Sequence, residues 1–259
     1  MRTIAVANQK GGCGKTTTAI NMAAAFARNG ARTLIIDLDP QGHTTLGLGR
    51  APDKLNKSIY EVLTDPRVSL SEVSVTSSEE NVSLVPGNIL LSGVELQLAA
   101  VQQREYVLNR KLTDEKSGYD VCIIDCAPSL SLLVLTALVA CNEVIIPVQA
   151  HYYAIEGLRQ LLETISIVKE RFNRNLNVLG ILLTFMEQTT LLSRQVEEQM
   201  RQLFGQMVFN TVIRKCVRLS EAPGAGKSIF AYAPRSNSAD EYQMLVKEII
   251  NGREQIRTA

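Results

Sequence analysis

The chain of 259 residues lacks several features that would assign it to a special class of protein. It has no charge excess, because 27 Lys and Arg residues face 26 Asp and Glu residues and the net charge is +1. Its overall charge therefore indicates no nucleic-acid partner. It also has no Cys-x-x-Cys pair, and its five cysteines are an odd number. This count argues against a disulfide framework or a zinc site and favours reduced thiols.

Long hydrophobic runs are missing as well. The most apolar stretch, residues 130–148, is interrupted by polar residues such as Asn142 and Glu143. It predicts a buried helix followed by a strand, not a membrane span. Met1 and Arg2 lead directly into a short strand-like run. We therefore expect no signal peptide and a cytoplasmic protein.

What the sequence does contain is an alternation of short β-branched runs with helical patterns. Strands are predicted at 2–8, 32–37, 82–85, 120–125, 143–148, 177–184 and 208–213. Helices are predicted at 15–28, 94–112, 130–140, 155–171, 191–204 and 239–250, and the polar segment 64–81 is expected to be a loop. This order predicts the α/β class: a doubly wound, mostly parallel sheet flanked by helices. We expect a single domain over residues 1–259.

The strongest motif lies between the first strand and the first helix. It reads Gln9-Lys10-Gly11-Gly12-Cys13-Gly14-Lys15-Thr16-Thr17. Glycines let the backbone turn tightly and approach phosphate, and the N–H groups at the helix start bind anions. The segment therefore predicts a phosphate-binding loop (P-loop) that binds ATP with Mg²⁺. The expected nucleotide contacts are Gly11, Gly12, Cys13, Gly14, Lys15, Thr16 and Thr17.

Two residues in this motif have clear expected roles, and one departs from the usual pattern. Lys15 should neutralise the β- and γ-phosphates, and the Thr16 hydroxyl should bind Mg²⁺. The ordinary consensus has glycine where this chain has Gln9, and a second lysine, Lys10, follows. The segment Gly224-Ala-Gly-Lys-Ser228 also ends in Gly-Lys-Ser, but it has no apolar strand before it, so we expect a loop there.

Acidic residues follow two of the predicted strands. Asp37 and Asp39 come after the second strand, and Asp125 ends the run Ile123-Ile124. Ligands in such folds bind at the carboxyl ends of parallel strands. Asp125 is expected to assist Mg²⁺ as Walker B carboxylates do. Thr16, Asp37 and Asp125 are therefore the predicted metal-binding residues.

These motifs together resemble the ParA/MinD family of deviant Walker ATPases. The residues that carry the resemblance are Lys10-Gly-Gly-Cys-Gly-Lys-Thr, Asp37-Leu-Asp-Pro-Gln-Gly42 and Ile-Asp125-Cys-Ala-Pro. Two further segments are similar to the ParA/Soj partition branch. They are Val217-Arg-Leu-Ser-Glu-Ala-Pro223 and Ala233-Pro-Arg-Ser236. The similarity extends over about residues 2 to 250, and we expect the short form of the family, without a helix-turn-helix domain.

The resemblance implies an ATP-dependent homodimer with catalytic residues Lys10, Lys15 and Asp39. Lys10 would reach the nucleotide of the partner subunit, as an arginine finger does. Asp39 would position the attacking water, and Asp37 would support Mg²⁺. Gly11 would lie at the dimer interface, where a side chain would block close approach.

The resemblance also implies non-specific DNA binding and a ParB-type or adaptor protein that stimulates hydrolysis, on the nucleoid. Arg218 matches a family DNA-contact position, and Arg194 and Lys215 are further candidates. Thr189 stands where the family often has an arginine, which predicts a redistributed DNA surface. Cys216 stands where the family has an asparagine near adenine, and a thiol cannot replace an amide there.

Two other functions are compatible with parts of this sequence. A MinD-like membrane ATPase would end in a basic amphipathic helix. Here the end, 251–259, has one large apolar residue, Ile256, and we expect Gly252 to break the preceding helix, so no stable membrane association is expected. An iron–sulfur ATPase would need interface cysteines. Cys126 is the candidate, but its spacing does not fit that family.

Overall fold

A computed structural model describes residues 1–115, 118–129, 131–151, 154–187 and 190–257. Its centre is a seven-stranded sheet with the order β3-β4-β2-β5-β1-β6-β7. The strands are β1 Arg2–Val6, β2 Thr33–Leu38, β3 Val75–Thr76, β4 Val82–Val85, β5 Val121–Cys126, β6 Glu143–Gln149 and β7 Asn177–Thr184. The pairs are parallel except β3–β4, which is antiparallel. The predicted fold class is confirmed.

Helices cover both faces of this sheet. The first six are α1 Lys15–Arg28, α2 His43–Gly47, α3 Ile59–Thr64, α4 Leu70–Val73, α5 Val94–Gln97 and α6 Val107–Asp114. The others are α7 Leu132–Ala140, α8 Ala154–Arg171, α9 Leu191–Phe204, α10 Val217–Glu221, α11 Ile229–Tyr232 and α12 Asn237–Arg257. No helix in the described part of the chain is long and apolar enough to cross a membrane.

The core lies in two layers because the central strands are buried on both faces. In β1, Ile4 and Val6 pack into the layer that contains α1 and α12. Ala5 packs into the opposite layer, with α7 and α8. A side-chain period of two directs successive residues to the two layers, so a doubly covered strand reads as a continuous apolar run. The carboxyl ends of β1, β2 and β5 lie together at one edge of the sheet, where polar residues follow the apolar strands.

The predicted strand at 208–213 is wrong. Within this segment, Val208 makes an isolated bridge with Ile181 of β7, and a second isolated bridge joins Arg214 to Met186, just beyond both segments. The N–H groups of Asn210 and Thr211 donate instead to the Glu248 carboxylate of α12, at 2.7 and 3.0 Å. A side chain therefore replaces the neighbouring strand as the hydrogen-bond partner, which interrupts the ladder.

Three other predicted boundaries are wrong. The helix at 94–112 is divided into α5 and α6, and in the segment between them Gln103 takes the left-handed conformation with φ +54°. The expected loop at 64–81 contains α4 and β3. Gly252 does not break α12, which continues to Arg257. A glycine costs about 1 kcal/mol in a helix, and good helix formers on both sides can offset that cost. The predicted start of α7 at Leu130 falls outside the described residues.

Candidate functional site: the carboxyl edge of the sheet

The glycine-rich loop is organised around one backbone oxygen, the carbonyl of Lys10. Lys15 Nζ donates to this oxygen at 2.9 Å, and Cys13 Sγ donates to it at 3.2 Å. The Lys10 N–H donates to Asn8 Oδ1 at 3.0 Å, and the Asn8 amide donates to the Pro147 carbonyl at 2.7 Å. The loop is thus anchored to β6. Lys15 is buried, so its ammonium group lies inside the loop.

The glycines of the loop are needed for different reasons. Gly12 and Gly14 have φ of +72° and +86°, a conformation that other residues rarely adopt. A Cβ on Gly14 would also lie 3.3 Å from the Phe185 ring. Gly11 has neither constraint, because its φ is not positive and nothing lies within 4 Å of its Cβ position. The backbone at Gly11 and Gly12 is exposed and open to a ligand.

Asp125 is the penultimate residue of β5, at the base of this loop, and is fully buried. Its Oδ2 accepts hydrogen bonds from the Thr16 hydroxyl at 2.8 Å and the Thr44 hydroxyl at 2.7 Å. Its Oδ1 is buried and has no partner among the described residues. Burial raises the pKa of Asp125 to about 7, and the nearby Asp37 contributes to the rise. A buried carboxylate oxygen without a partner, beside a threonine hydroxyl, fits a site for a hard divalent cation.

Asp37 is also fully buried, but its oxygens are occupied. Oδ2 accepts from the Thr45 N–H at 2.7 Å and from the Thr45 hydroxyl at 2.6 Å. Oδ1 accepts from the Asp39 N–H at 3.3 Å. Burial raises the pKa of Asp37 to about 6. These contacts join β2 to α2, and the predicted role of Asp37 at the metal stays a prediction.

Two further predicted residues lie on the same edge. Asp39 is 6% exposed, and its Oδ1 accepts from the Gln41 N–H at 2.9 Å. The exposed Lys10 side chain extends to His151, with Nζ 3.1 Å from Nε2. The structure therefore brings the predicted catalytic and metal-binding residues to one edge of the sheet. Lys10 is the one among them whose side chain lies on the outer surface.

A small cleft lies beside the loop, next to Gly14 and Thr17. Cys216, Arg214 and Tyr242 also line it. Burial would raise the pKa of Cys216, but hydrogen bonds from the Ser238 side chain and from backbone N–H groups at the start of α10 lower it. The thiol therefore lies next to the predicted nucleotide site, as its alignment with the family's asparagine implies.

Two of the predicted DNA-binding residues pair with carboxylates. The exposed Arg218 pairs with Glu221 at 3.1 Å, and the exposed Lys215 pairs with Glu187 at 2.6 Å. The Lys215 N–H also donates to the Met186 carbonyl, which places it next to the segment before α9. Arg194 is exposed on α9, and Thr189 lies outside the described residues.

The sequence did not predict the threonines at 44, 45 and 184 as part of the site. Thr44 and Thr45 lie in the first turn of α2 and donate to Asp125 and Asp37, respectively. The Thr184 hydroxyl donates to the Cys13 carbonyl at 2.8 Å. The pair of threonines just after the Asp-Pro-Gln-Gly turn was the available signal. Cys126 is 1% exposed, so in this structure it is not presented at a surface.

Residues 1–178 match the model of an AAA domain family. The sporulation initiation inhibitor protein Soj of Bacillus subtilis is 45% identical over 246 residues, which cover 95% of this chain and 97% of that protein. The chain belongs to the ParA/Soj branch of the ParA/MinD family. Chromosome-partitioning ATPase Soj of Thermus thermophilus is 44% identical to this ParA/Soj chain, over 96% of each protein.

A solved structure also resembles this ParA/Soj chain over nearly its whole length. It is the cobyrinic acid a,c-diamide synthase of Mycobacterium smegmatis with a bound ATP analogue and magnesium. The TM-score is 0.87 and the identity is 37%, covering 98% of this chain and 96% of that one. The ParA/Soj fold is thus shared with a protein that holds ATP-analogue and magnesium ligands.

Proposed function

We propose that this ParA/Soj-family ATPase is an ATP-dependent dimerisation switch that positions a chromosome, plasmid or other cargo on nucleoid DNA. The observation that carries the proposal is that the two lysines of the loop lie in different places. Lys15 lies inside its own loop, whereas Lys10 lies on the outer surface of the same edge. One lysine serves the subunit's own nucleotide, and the other is available to a second subunit.

The nucleotide is ATP with Mg²⁺. The backbone N–H groups of Gly11 to Gly14 and the Lys15 ammonium would bind the phosphates. Thr16 and Asp125 would hold the cation, since Asp125 Oδ1 is buried without a partner among the described residues. When bound, Mg²⁺ supplies positive charge to the phosphate oxygens.

Hydrolysis would require a group that orients water against the γ-phosphate. Asp39 fills this role in the proposal, because it lies on the site edge and one of its oxygens is fixed by the Gln41 N–H. Asp37 would hold α2 in place through Thr45. Lys10 from the second subunit would stabilise the charge that develops on the phosphate.

The glycine at position 11 is an observation in favour of the proposed dimer. Neither its backbone conformation nor its surroundings in the subunit require glycine. A second subunit that packs against the loop would supply the missing reason, because a side chain there would keep the two loops apart.

DNA binding is supported by three exposed basic residues, Arg218, Lys215 and Arg194. Arg218 lies in α10 and Arg194 lies in α9. Lys215 precedes α10 and is hydrogen-bonded to Met186, in the segment before α9. Arginine and lysine side chains there would contact phosphates without reading sequence. A cytoplasmic, nucleoid-associated location follows from this proposal.

The test is the ATPase rate alone, with DNA, with a ParB-type protein, and with both. The proposal expects a slow basal rate and strong synergy between DNA and the partner. A rate that neither component changes would contradict it. Sedimentation with liposomes and ATP tests the MinD-like alternative, for which the expected result is no recovery in the lipid pellet.

A further inference from the structure

The side chain of Lys10 has a defined partner within its own subunit. Its Nζ lies 3.1 Å from Nε2 and 3.4 Å from Nδ1 of His151. An ammonium group has three donors and no acceptor, so the imidazole must accept through a nitrogen that carries no proton. Lys10 and His151 are 141 residues apart, and the fold brings them together beyond the ends of β1 and β6.

Both ends of this contact are held by the backbone. The Lys10 N–H is bound by Asn8, and its carbonyl accepts from Lys15 and Cys13. The His151 carbonyl accepts from the N–H of Ala154, the first residue of α8, at 2.8 Å. The backbone of each residue in this contact is therefore anchored by hydrogen bonds.

We propose that His151 is a positioning residue that holds the Lys10 ammonium in the free subunit. This inference rests on the proposed role of Lys10 in the partner subunit's site. To act there, Lys10 must leave His151, so the imidazole competes with the partner's nucleotide for the same donor. A nucleotide phosphate is charged and the imidazole acceptor is neutral, so the phosphate is the stronger acceptor. His151 therefore sets how readily dimers form and does not prevent them.

The competition predicts a graded effect of substitutions at His151. Leucine has no acceptor and should release Lys10, which makes the dimer about two- to fivefold tighter, within the range of exposed polar pairs. Glutamine offers a neutral acceptor and should restore a value close to the wild type. Glutamate adds a charge and should hold Lys10 more strongly, which weakens the dimer by a similar factor or more.

The experiment measures the dimer dissociation constant by sedimentation velocity with a non-hydrolysable ATP analogue and Mg²⁺. The wild type is compared with His151→Leu, His151→Gln, His151→Glu and Lys10→Ala. Nucleotide affinity and thermal unfolding of each variant are measured as controls, and both should match the wild type in the His151 series.

The order Leu tighter, Gln unchanged and Glu weaker, with no dimer for Lys10→Ala, supports the inference. If Lys10→Ala loses the dimer but the three His151 variants match the wild type, His151 does not hold Lys10 and the proposed function stands. Equal weakening in all three His151 variants would indicate a merely structural residue and overturn the inference. If Lys10→Ala dimerises normally, the role of Lys10 in the partner subunit is wrong and the inference fails with it. Should the leucine variant not fold, the contrast between Gln and Glu decides.

Discussion

At the scale of single residues, Asp125 has a buried side chain whose hydrogen-bonding capacity is not satisfied. It is fully buried, one of its oxygens has no partner among the described residues, and burial raises its pKa to about 7. Leaving a buried acceptor unsatisfied costs about 1–3 kcal/mol. The site therefore gives up stability in the free protein, and a bound cation would recover it.

The variant Asp125→Asn should separate the stability cost of this carboxylate from its proposed role in binding the cation. We expect the free variant to unfold at the same temperature as the wild type or higher, because a buried charge is removed. The stabilisation by ATP that depends on Mg²⁺ should largely disappear, although ligand at a hundred times its dissociation constant adds about 2.7 kcal/mol to a protein that binds it normally.

Thermal unfolding with and without MgATP measures both effects. Asp120→Asn is the matched control, because Asp120 precedes the other end of β5 and is exposed in a pair with Arg32. Full MgATP stabilisation of the Asp125 variant would show that this carboxylate does not serve the cation.

Cys216 differs from the other four cysteines, which are buried. Hydrogen bonds outweigh burial and lower its pKa, which increases the thiolate fraction at neutral pH. Iodoacetamide should therefore label Cys216 first, as read by mass spectrometry of peptides. MgATP should slow this labelling if the base occupies the cleft beside Gly14. Labelling at the same rate with and without nucleotide would place the base elsewhere.

At the scale of elements, the short helix α2 is attached to β2 by one side chain. The Thr45 hydroxyl donates to Asp37 and accepts from the Gly87 N–H at 3.0 Å. The hydroxyl of Thr45 thus connects, by hydrogen bonds, the segments that follow β2 and β4. Thr44 makes the corresponding link to β5 through Asp125.

Thr45→Val keeps the shape of the side chain and removes this hydroxyl. The free energy of unfolding should fall by about 1–3 kcal/mol, because Asp37 and Gly87 each lose a buried partner. Thr45→Ser keeps the hydroxyl and should lose less. Urea denaturation of the nucleotide-free proteins gives both values, and equal stability of the two variants would mean that the hydroxyl contributes nothing.

Local patterns predicted the elements whose own residues carry the signal. The phosphate loop, the first helix at 15–28 and the strand at 177–184 agree with the structure because apolar runs and glycines define them locally. The segment 208–213 could not be predicted, because its N–H groups bind Glu248, which lies far along the chain. Thr45 was missed for the same reason, since its role depends on β2 and Gly87.

At the scale of the whole molecule, the predicted DNA surface is partly neutralised by its own acids. Arg218 pairs with Glu221, and Lys215 pairs with Glu187. Exposed pairs of this kind are worth about 0–1 kcal/mol, so DNA phosphates can replace the carboxylates. With the near-neutral net charge and these pairs, the proposed DNA binding is predicted to be weak and salt-sensitive.

Arg218→Glu should reduce affinity for a DNA duplex of any sequence, and wild-type binding should decrease as salt increases. Fluorescence anisotropy at several salt concentrations measures both. Arg174→Glu makes the same charge change at the opposite edge of the sheet, near the start of β7, and should leave affinity unchanged. An equal loss in both variants would indicate a general charge effect without a defined DNA surface.

The central claim is that ATP joins two subunits through the exposed face of the phosphate loop. It is tested most directly by sedimentation velocity of the wild type and Gly11→Val with Mg²⁺ and a non-hydrolysable ATP analogue. A valine at this position meets nothing within 4 Å of its Cβ in the subunit, so the variant should fold and bind the nucleotide. We expect a wild-type dimer and a nucleotide-bound Gly11→Val monomer. A nucleotide-bound wild type that remains monomeric, or a variant that dimerises equally well, would contradict the account.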